Sequence, residues 1–183
     1  SFVACADAQI SFFAETTPLV IKNAMRSDEN ALRQSLLPSL LRVRKTNQDH
    51  GNENVRLFEC TTVYLAHDAA KIPEHLPILG MLLDGGYREA RGLIESVLRA
   101  LRVVGARFEA LQGRGSLYLA GEGGAAVNLD GQVIGYLGSP SAAILGRYEL
   151  RAAPVYVELR LDRLFERASF ELRVTPLPRF PAV

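Results

Sequence analysis

The stretch Ala31-Leu32-Arg33-Gln34-Ser35-Leu36-Leu37-Pro38-Ser39-Leu40-Leu41, followed after a charged segment by Val55-Arg56-Leu57-Phe58-Glu59-Cys60-Thr61-Thr62-Val63-Tyr64, decides how the chain is read. Pro38 stands just inside the start of an apolar-periodic run, where its missing N–H donor costs nothing, and Gly51 stands where the run stops. The spacing predicts a helix over Leu36–Asp49. Beyond it, Val55, Leu57, Glu59, Thr61 and Val63 alternate with Arg56, Phe58, Cys60, Thr62 and Tyr64, which predicts a strand over Val55–Ala66 in a sheet covered on at least one side.

The rest of the chain extends this pattern. A loop holding Pro73 and Pro77 leads to a second strand, Ile78–Asp84, closed by Gly85-Gly86 and near enough to pair antiparallel with the first. Arg88–Gly105 predicts a helix with Leu93, Val97, Leu98, Leu101 and Val104 on its apolar stripe and Gly105 as its stop. Short strands are expected at Arg107–Leu111, Leu117–Ala120, Ala125–Leu129 and Val133–Gly138, the last two joined by an Asp130-Gly131 hairpin turn. Ser139-Pro140 opens a short helix near Ala142–Leu145. Pro154 precedes a strand over Val155–Leu161, and Asp162 is placed to cap a turn at Arg163–Glu166. Phe170–Leu177 predicts an edge strand, because Pro176 and Pro178 cannot donate to a central ladder. Ala8–Phe13 and Leu19–Ile21 are short apolar segments. The sum is an α+β domain with a mainly antiparallel sheet flanked by helices.

With 183 residues, 48% of them hydrophobic, the chain suits one well-buried core, so a single domain over residues 1–183 is expected. A formal net charge of +1 advertises no nucleic-acid or membrane partner. Cys5 and Cys60 lie far apart with no metal-ligand spacing, which predicts two buried thiols in a reducing compartment. No run reaches transmembrane length and no basic region precedes a long apolar one, so a cytoplasmic protein with no membrane or DNA partner is expected.

The opening stretch resembles the "LR-x-SLLP-x-LL … N … VRLFE-x-G-x-VF" pattern of the beta subunit of bacterial phenylalanyl-tRNA synthetases. Ser1-Phe2-Val3 is similar to the end of that family's "TYSFV" strand, and Lys22 to Asp28 to its "NP-x-S-x-D" segment. Leu79 to Gly85 is similar to "LAGLL-x-G", Gly131 to Pro140 to "G-x-x-IG-x-LG-x-x-HP", and Val155 to Leu164 to "x-x-FELDLDAL". The chain stops at Pro178-Arg179-Phe180-Pro181-Ala182-Val183, where relatives run on, so an excised piece of a longer multidomain subunit is expected. It departs from the family at Glu89-Ala90-Arg91-Gly92, at Ala120 to Ala125 and at Ser139-Pro140, where relatives carry Asp-x-Lys-Gly, "HPGR-x-A" and His-Pro.

The resemblance implies a class II aminoacyl-tRNA synthetase-like fold in a degenerate, non-catalytic copy. It would pack against the catalytic alpha subunit, in a heterotetramer of two alpha and two beta subunits that attaches phenylalanine to tRNA(Phe). Class II catalysis clamps ATP with one arginine on the motif 2 strand pair and another at motif 3. By resemblance these segments are Val55–Ala66 with Ile78–Asp84, and Val155–Leu164. The first strand ends in Tyr64-Leu65-Ala66-His67-Asp68 and the third segment holds no Gly-x-Gly-x-Glu-Arg, so both clamps are missing. No catalytic, cofactor-binding or metal residue is expected in this piece, and ATP and magnesium belong to the holoenzyme. The helix Leu36–Asp49 takes the subunit-interface role by resemblance, with Leu36, Leu40, Leu41 and Arg44 as its contact residues.

Other features read more simply as structure. His67-Asp68 is a sequence-adjacent pair whose side chains diverge on a strand. Gly121-Glu122-Gly123-Gly124 lacks the following helix with Lys or Ser/Thr that a phosphate loop needs. Arg42, Arg44 and Lys45 lie beside Asp49 and Glu53 as a mixed-charge face rather than an RNA-binding one. The alternative from another class is a stand-alone synthetase-fold paralogue acting as a ligand-binding or interaction module, since fold alone does not fix function.

Overall fold

A computed structural model describes residues 2–26, 29–67 and 72–169. A short strand β1 (Phe2–Val3) pairs antiparallel with β2 (Ala31–Leu32), and a helical turn α1 (Cys5–Ala8) follows β1. Helix α2 (Leu37–Asp49) leads into β3 (Arg56–Leu65) and β4 (Glu74–Leu83), after which comes α3 (Tyr87–Ala100). Then follow β5 (Arg107–Ala110), α4 (Gly115–Tyr118), β6 (Ala125–Leu129), β7 (Gln132–Gly138), α5 (Ala142–Arg147), β8 (Val155–Arg160) and α6 (Leu161–Arg167). Six of the strands form one fully antiparallel sheet in the order β3-β4-β8-β7-β6-β5.

Each face of that sheet has its own core. Under α2 lie Leu36, Leu40, Leu41, Val63, Ile78, Leu82 and Tyr156, with Phe12 inserted from the N-terminal loop. Phe12 packs against the rings of Tyr118, Tyr136 and Tyr156 at centroid separations of 5.2, 5.6 and 5.8 Å. On the other face α3 and α6 cover Leu79, Met81, Val127, Val157 and Leu159 with Ala90, Ile94, Leu98 and Leu164. Each such side chain contributes roughly 1.5–3 kcal/mol on burial, which is why the sheet needs helices on both sides.

The predicted phase of β3 holds: Val63 is buried and Leu57 half-buried under α2, whereas Phe58 is 75% exposed. Pro77 lies inside β4 rather than before it, opposite Thr62. Tyr64 donates its amide to Arg33 away from β4, so even-numbered positions of β3 and their partners turn their backbone groups outward. Pro77 therefore needs no donor toward β3, and pairing with β8 starts only at Ile78.

Other boundaries differ from the expectation. Helix α3 ends at Ala100, because Arg102 takes a φ of 55° and the Val103 amide closes back on the Leu98 carbonyl at 2.8 Å. Its buried stripe is Ala90, Ile94 and Leu98, and Val104, placed on the stripe by periodicity, is exposed. Leu117–Ala120 is not a strand: Gly115 to Tyr118 turn as a helix, and the Gly115 backbone sits so close under the Tyr136 ring that a Cβ there would fall 2.3 Å from it. Beyond Ala8, the last residue of α1, residues 9–13 are loop, and α6 starts at Leu161 with Arg160 as its N-cap residue, so Asp162 lies inside the first turn. The Asp130-Gly131 turn is as expected, with φ of 52° and 77°. The strand expected at Phe170–Leu177 lies outside the described residues. Cys5 is half-buried and Cys60 is exposed, not buried, because no helix among the described residues covers the outer face of the edge strand β3. No helix among the described residues is long and apolar enough to cross a membrane.

Candidate functional site

Charged side chains rarely enter a core without a partner. On the α2 face four enter it, each with partners: Asp7, which accepts from Arg42, Arg147 and Tyr148, and three that join α2 to the sheet. Arg33, 4% exposed, lies just ahead of α2 and donates from Nη1 to Glu59 Oε1 at 2.8 Å and from Nη2 to the Thr61 hydroxyl at 2.7 Å. Strand alternation turns Glu59 and Thr61 toward this segment, where Arg33 supplies the Glu59 carboxylate with its donor. The second charge is Glu158 on the central strand β8, fully buried. Its Oε2 accepts from the Ser35 hydroxyl at 2.7 Å, from the Leu36 amide at 3.1 Å and from the Tyr156 hydroxyl. Burial pushes this carboxyl up to about 7, against the pull of those donors and of the Arg33 charge. Desolvation and the neighbouring Glu158 charge raise the Tyr156 phenol well above its ordinary value.

The third is Arg44, which leaves α2 on its inner side and donates from Nε to Asp84 at 2.7 Å. Asp84 also accepts the Val55 amide at 3.0 Å, so one carboxylate ties the far end of α2 to the entry of β3. Arg33, Glu158 and Arg44 together fasten both ends of α2 to the sheet.

The four residues expected to meet a partner, Leu36, Leu40, Leu41 and Arg44, are all buried by the chain's own sheet. Leu36 sits so close over Gly80 that a Cβ there would fall 2.9 Å from the Leu36 Cβ. Within the chain these residues make their contacts with the sheet. The outer side of α2 carries Arg42, Val43 and Lys45, with Val43 exposed.

A nucleotide does not fit the donor set on the inner face. Arg33 is committed to Glu59 and Thr61, and Arg160, at the end of β8, is held by Asp162 with Nη2 to Oδ2 at 2.6 Å. Neither guanidinium is open to a phosphate. His67 pairs with Glu74 at 3.2 Å, and its sequence neighbour Asp68 lies outside the described residues. Gly121 to Gly124 form a turn that leads into β6 rather than into a helix. Arg42 pairs with Asp7 and Lys45 with Asp49, so the basic residues of α2 are locally balanced. Among the described residues no group of three or more His, Cys, Asp or Glu is placed to hold a metal.

Sequence reasoning missed Ser35, Tyr156, Glu158 and the role of Arg33. The one local signal is a single acid within the otherwise apolar run Val155-Tyr156-Val157-Glu158-Leu159, a pattern that marks a buried carboxylate in need of donors.

Residues 1–161 match the family described as the phenylalanyl tRNA synthetase beta chain CLM domain. The chain is 30% identical over 186 residues to the phenylalanine–tRNA ligase beta subunit of Carboxydothermus hydrogenoformans, covering 92% of this chain and 22% of that protein. It is 30% identical over 192 residues to that of Geobacillus kaustophilus, covering 97% and 24%. Against that of Clostridium tetani it is 27% identical, covering 89% and 21%. The chain thus spans under a quarter of the length of these relatives. In fold it is similar to a crystal structure of pyrrolysyl-tRNA synthetase from Desulfitobacterium hafniense, with a TM-score of 0.61 at 16% identity, over 80% of this chain and 52% of that one. That likeness places the antiparallel sheet and its helices in the class II synthetase architecture.

Proposed function

The chain belongs to the phenylalanyl-tRNA synthetase beta chain CLM domain family, and from that premise we propose that it is one non-catalytic, synthetase-like domain of a phenylalanine–tRNA ligase beta subunit. In this reading it packs against the catalytic alpha subunit in a heterotetramer of two alpha and two beta subunits. The assembly attaches phenylalanine to tRNA(Phe) in the cytoplasm for translation, with ATP and magnesium belonging to the holoenzyme.

The observation that carries the reading is the state of the sheet face under α2. A catalytic copy needs guanidiniums free to take up charge as it develops on a phosphate. Here the buried Arg33 is spent on Glu59 and Thr61, and Phe12, Leu36 and Tyr156 fill the space above the strands. What remains for function is the outer surface, and the open side of α2 is the part assigned to the alpha subunit.

Phenylalanine-dependent exchange of pyrophosphate into ATP tests the reading. The protein alone is expected to give no exchange above a no-protein blank, and aminoacylation is expected only on addition of the alpha subunit. Exchange by the protein alone that disappears on substitution of Arg33 would overturn it.

A further inference from the structure

Phe12 reaches the core under α2 from a segment, residues 9–14, that carries no helix or strand, yet its side chain is 1% exposed. Three tyrosines surround the ring, Tyr118 edge-on at 67° and Tyr136 and Tyr156 tilted at 36° and 33°. Edge-to-face and offset arrangements are the ones aromatic rings prefer with one another.

Each wall of this chamber has an anchor of its own. Tyr136 and Tyr156 stand on the paired strands β7 and β8. The Tyr156 hydroxyl donates to Glu158, and the Tyr136 ring lies against the Gly115 backbone, which also hydrogen-bonds its hydroxyl. Tyr118 donates to the Gln9 carbonyl at 3.3 Å and accepts from Arg114 Nη2 at 3.1 Å. All three hydroxyls are thus engaged with other groups, and the tyrosines meet Phe12 with their rings.

The backbone of residues 9–14 is fastened separately from the Phe12 ring. Arg114 Nε donates to the Ser11 carbonyl at 2.7 Å, and the Ser11 hydroxyl donates to the Ala14 carbonyl at 2.8 Å. The same guanidinium also reaches Glu15 through Nη1 at 3.9 Å. Cutting back a core side chain costs least where its neighbours can collapse into the vacancy. Here neither the walls nor the strap depends on the ring, so its removal leaves an enclosed, ring-sized space that its apolar lining keeps dry.

We propose that Phe12 is a built-in ligand: the three tyrosines form a binding site for one uncharged monocyclic aromatic ring, and residues 9–14 keep that site filled from within. A free benzene-class molecule takes the place of the ring when the side chain is cut back. An ion is excluded, because the tyrosine hydroxyls are already engaged and a buried charge would lack partners. The site lies wholly within the chain, and its test needs no alpha subunit.

Thermal unfolding of the parent and of Phe12→Ala, with benzene, cyclohexane and L-phenylalanine as probes, is the experiment. Benzene is expected to raise the melting temperature of Phe12→Ala by about 4 °C or more and to leave that of the parent unchanged. Cyclohexane, of similar size but without a ring quadrupole, is expected to give roughly half that gain or less, and L-phenylalanine none. If Phe12→Ala does not fold alone, refolding with each probe in the buffer is the second measurement, and folded protein is expected with benzene and not with cyclohexane. No gain from benzene, in melting or in refolding, would show that the walls close on the vacancy and would overturn the proposal. An equal gain from cyclohexane would reduce the site to plain apolar space and overturn it as well. A gain from L-phenylalanine that benzene does not give would mark an open amino-acid pocket and overturn the closed site.

Discussion

Arg33 and Glu59 meet at 2.8 Å between the segment that enters α2 and the edge strand β3, and the two ends of this ion pair are unequally buried, at 4% and 36% side-chain exposure. The asymmetry fixes what each removal costs. Glu59→Ala leaves the buried guanidinium with the Thr61 hydroxyl alone, whereas water can still reach the carboxylate side. Breaking a wholly buried pair costs about 3–5 kcal/mol, and solvent at Glu59 reduces that to about 2. The melting temperature is therefore expected to fall by roughly 4–8 °C, read by scanning calorimetry. An unchanged melting temperature with lost aminoacylation in the reconstituted enzyme would move Glu59 from the sheet to the substrate.

Glu158 gives a pH dependence of defined sign. Its carboxyl ordinarily titrates near 4.5, and burial, the dominant cause, pushes it up to about 7 in the folded protein. Between those values the native state keeps a proton that the unfolded chain has lost. The contribution of this group to stability is thus full below about pH 4.5 and is lost as pH rises through about 7. At about 1.4 kcal/mol per pH unit the loss approaches roughly 3 kcal/mol. Glu158→Gln cannot titrate, so its stability relative to the parent is expected to rise by that amount from pH 4.5 to 7.5, measured by urea unfolding. A difference that stays flat with pH would show a carboxyl of ordinary acidity.

Two glycines are expected to respond to alanine with opposite signs. A Cβ at Gly135, on β7, would fall 2.3 Å from a Leu159 methyl and 2.6 Å from the Glu158 carbonyl oxygen, and backbone cannot step aside. Gly135→Ala is expected to destabilise by about 3 kcal/mol or to leave the protein insoluble. Gly92, inside α3, has nothing within 4 Å of where its Cβ would stand. Gly92→Ala is expected to stabilise by roughly 0.5–1 kcal/mol through helix propensity. Equal effects at the two sites would contradict the packing of β7 on β8.

Elements with strong periodicity were legible from the residues alone. Pro38 and Gly51 bracket α2, the alternation through Leu57 and Val63 marks β3, and Asp130-Gly131 makes the β6–β7 turn. The end of α3 was not, because the left-handed position falls on Arg102, a residue type that carries no such signal. Leu117–Ala120 misled because a tertiary constraint, the Tyr136 ring over Gly115, decides its conformation. The candidate site was hidden for another reason. Ser35 and Glu158 are 123 residues apart, and no local pattern joins a hydroxyl ahead of a helix to an acid on the central strand. Leu36, Leu40, Leu41 and Arg44 show the same limit, since an apolar helix face reads alike whether the chain's own sheet or another subunit covers it.

The phase of β3 predicts how its two faces answer substitution. Leu57 is half-buried under α2, so Leu57→Ala is expected to cost about 1.5 kcal/mol, less than a fully buried leucine because part of the side chain already meets water. Its neighbour Phe58 is 75% exposed, and Phe58→Ala is expected to change stability by less than about 0.5 kcal/mol in spite of the larger side chain removed. Cys60, exposed on the same outer face, is expected to react with a thiol reagent in the native protein faster than the half-buried Cys5. Urea unfolding of the two alanine variants and the rate of native thiol labelling measure all three. A loss above about 1 kcal/mol at Phe58, or protection of Cys60 in the protein alone, would show that another part of the molecule covers this face.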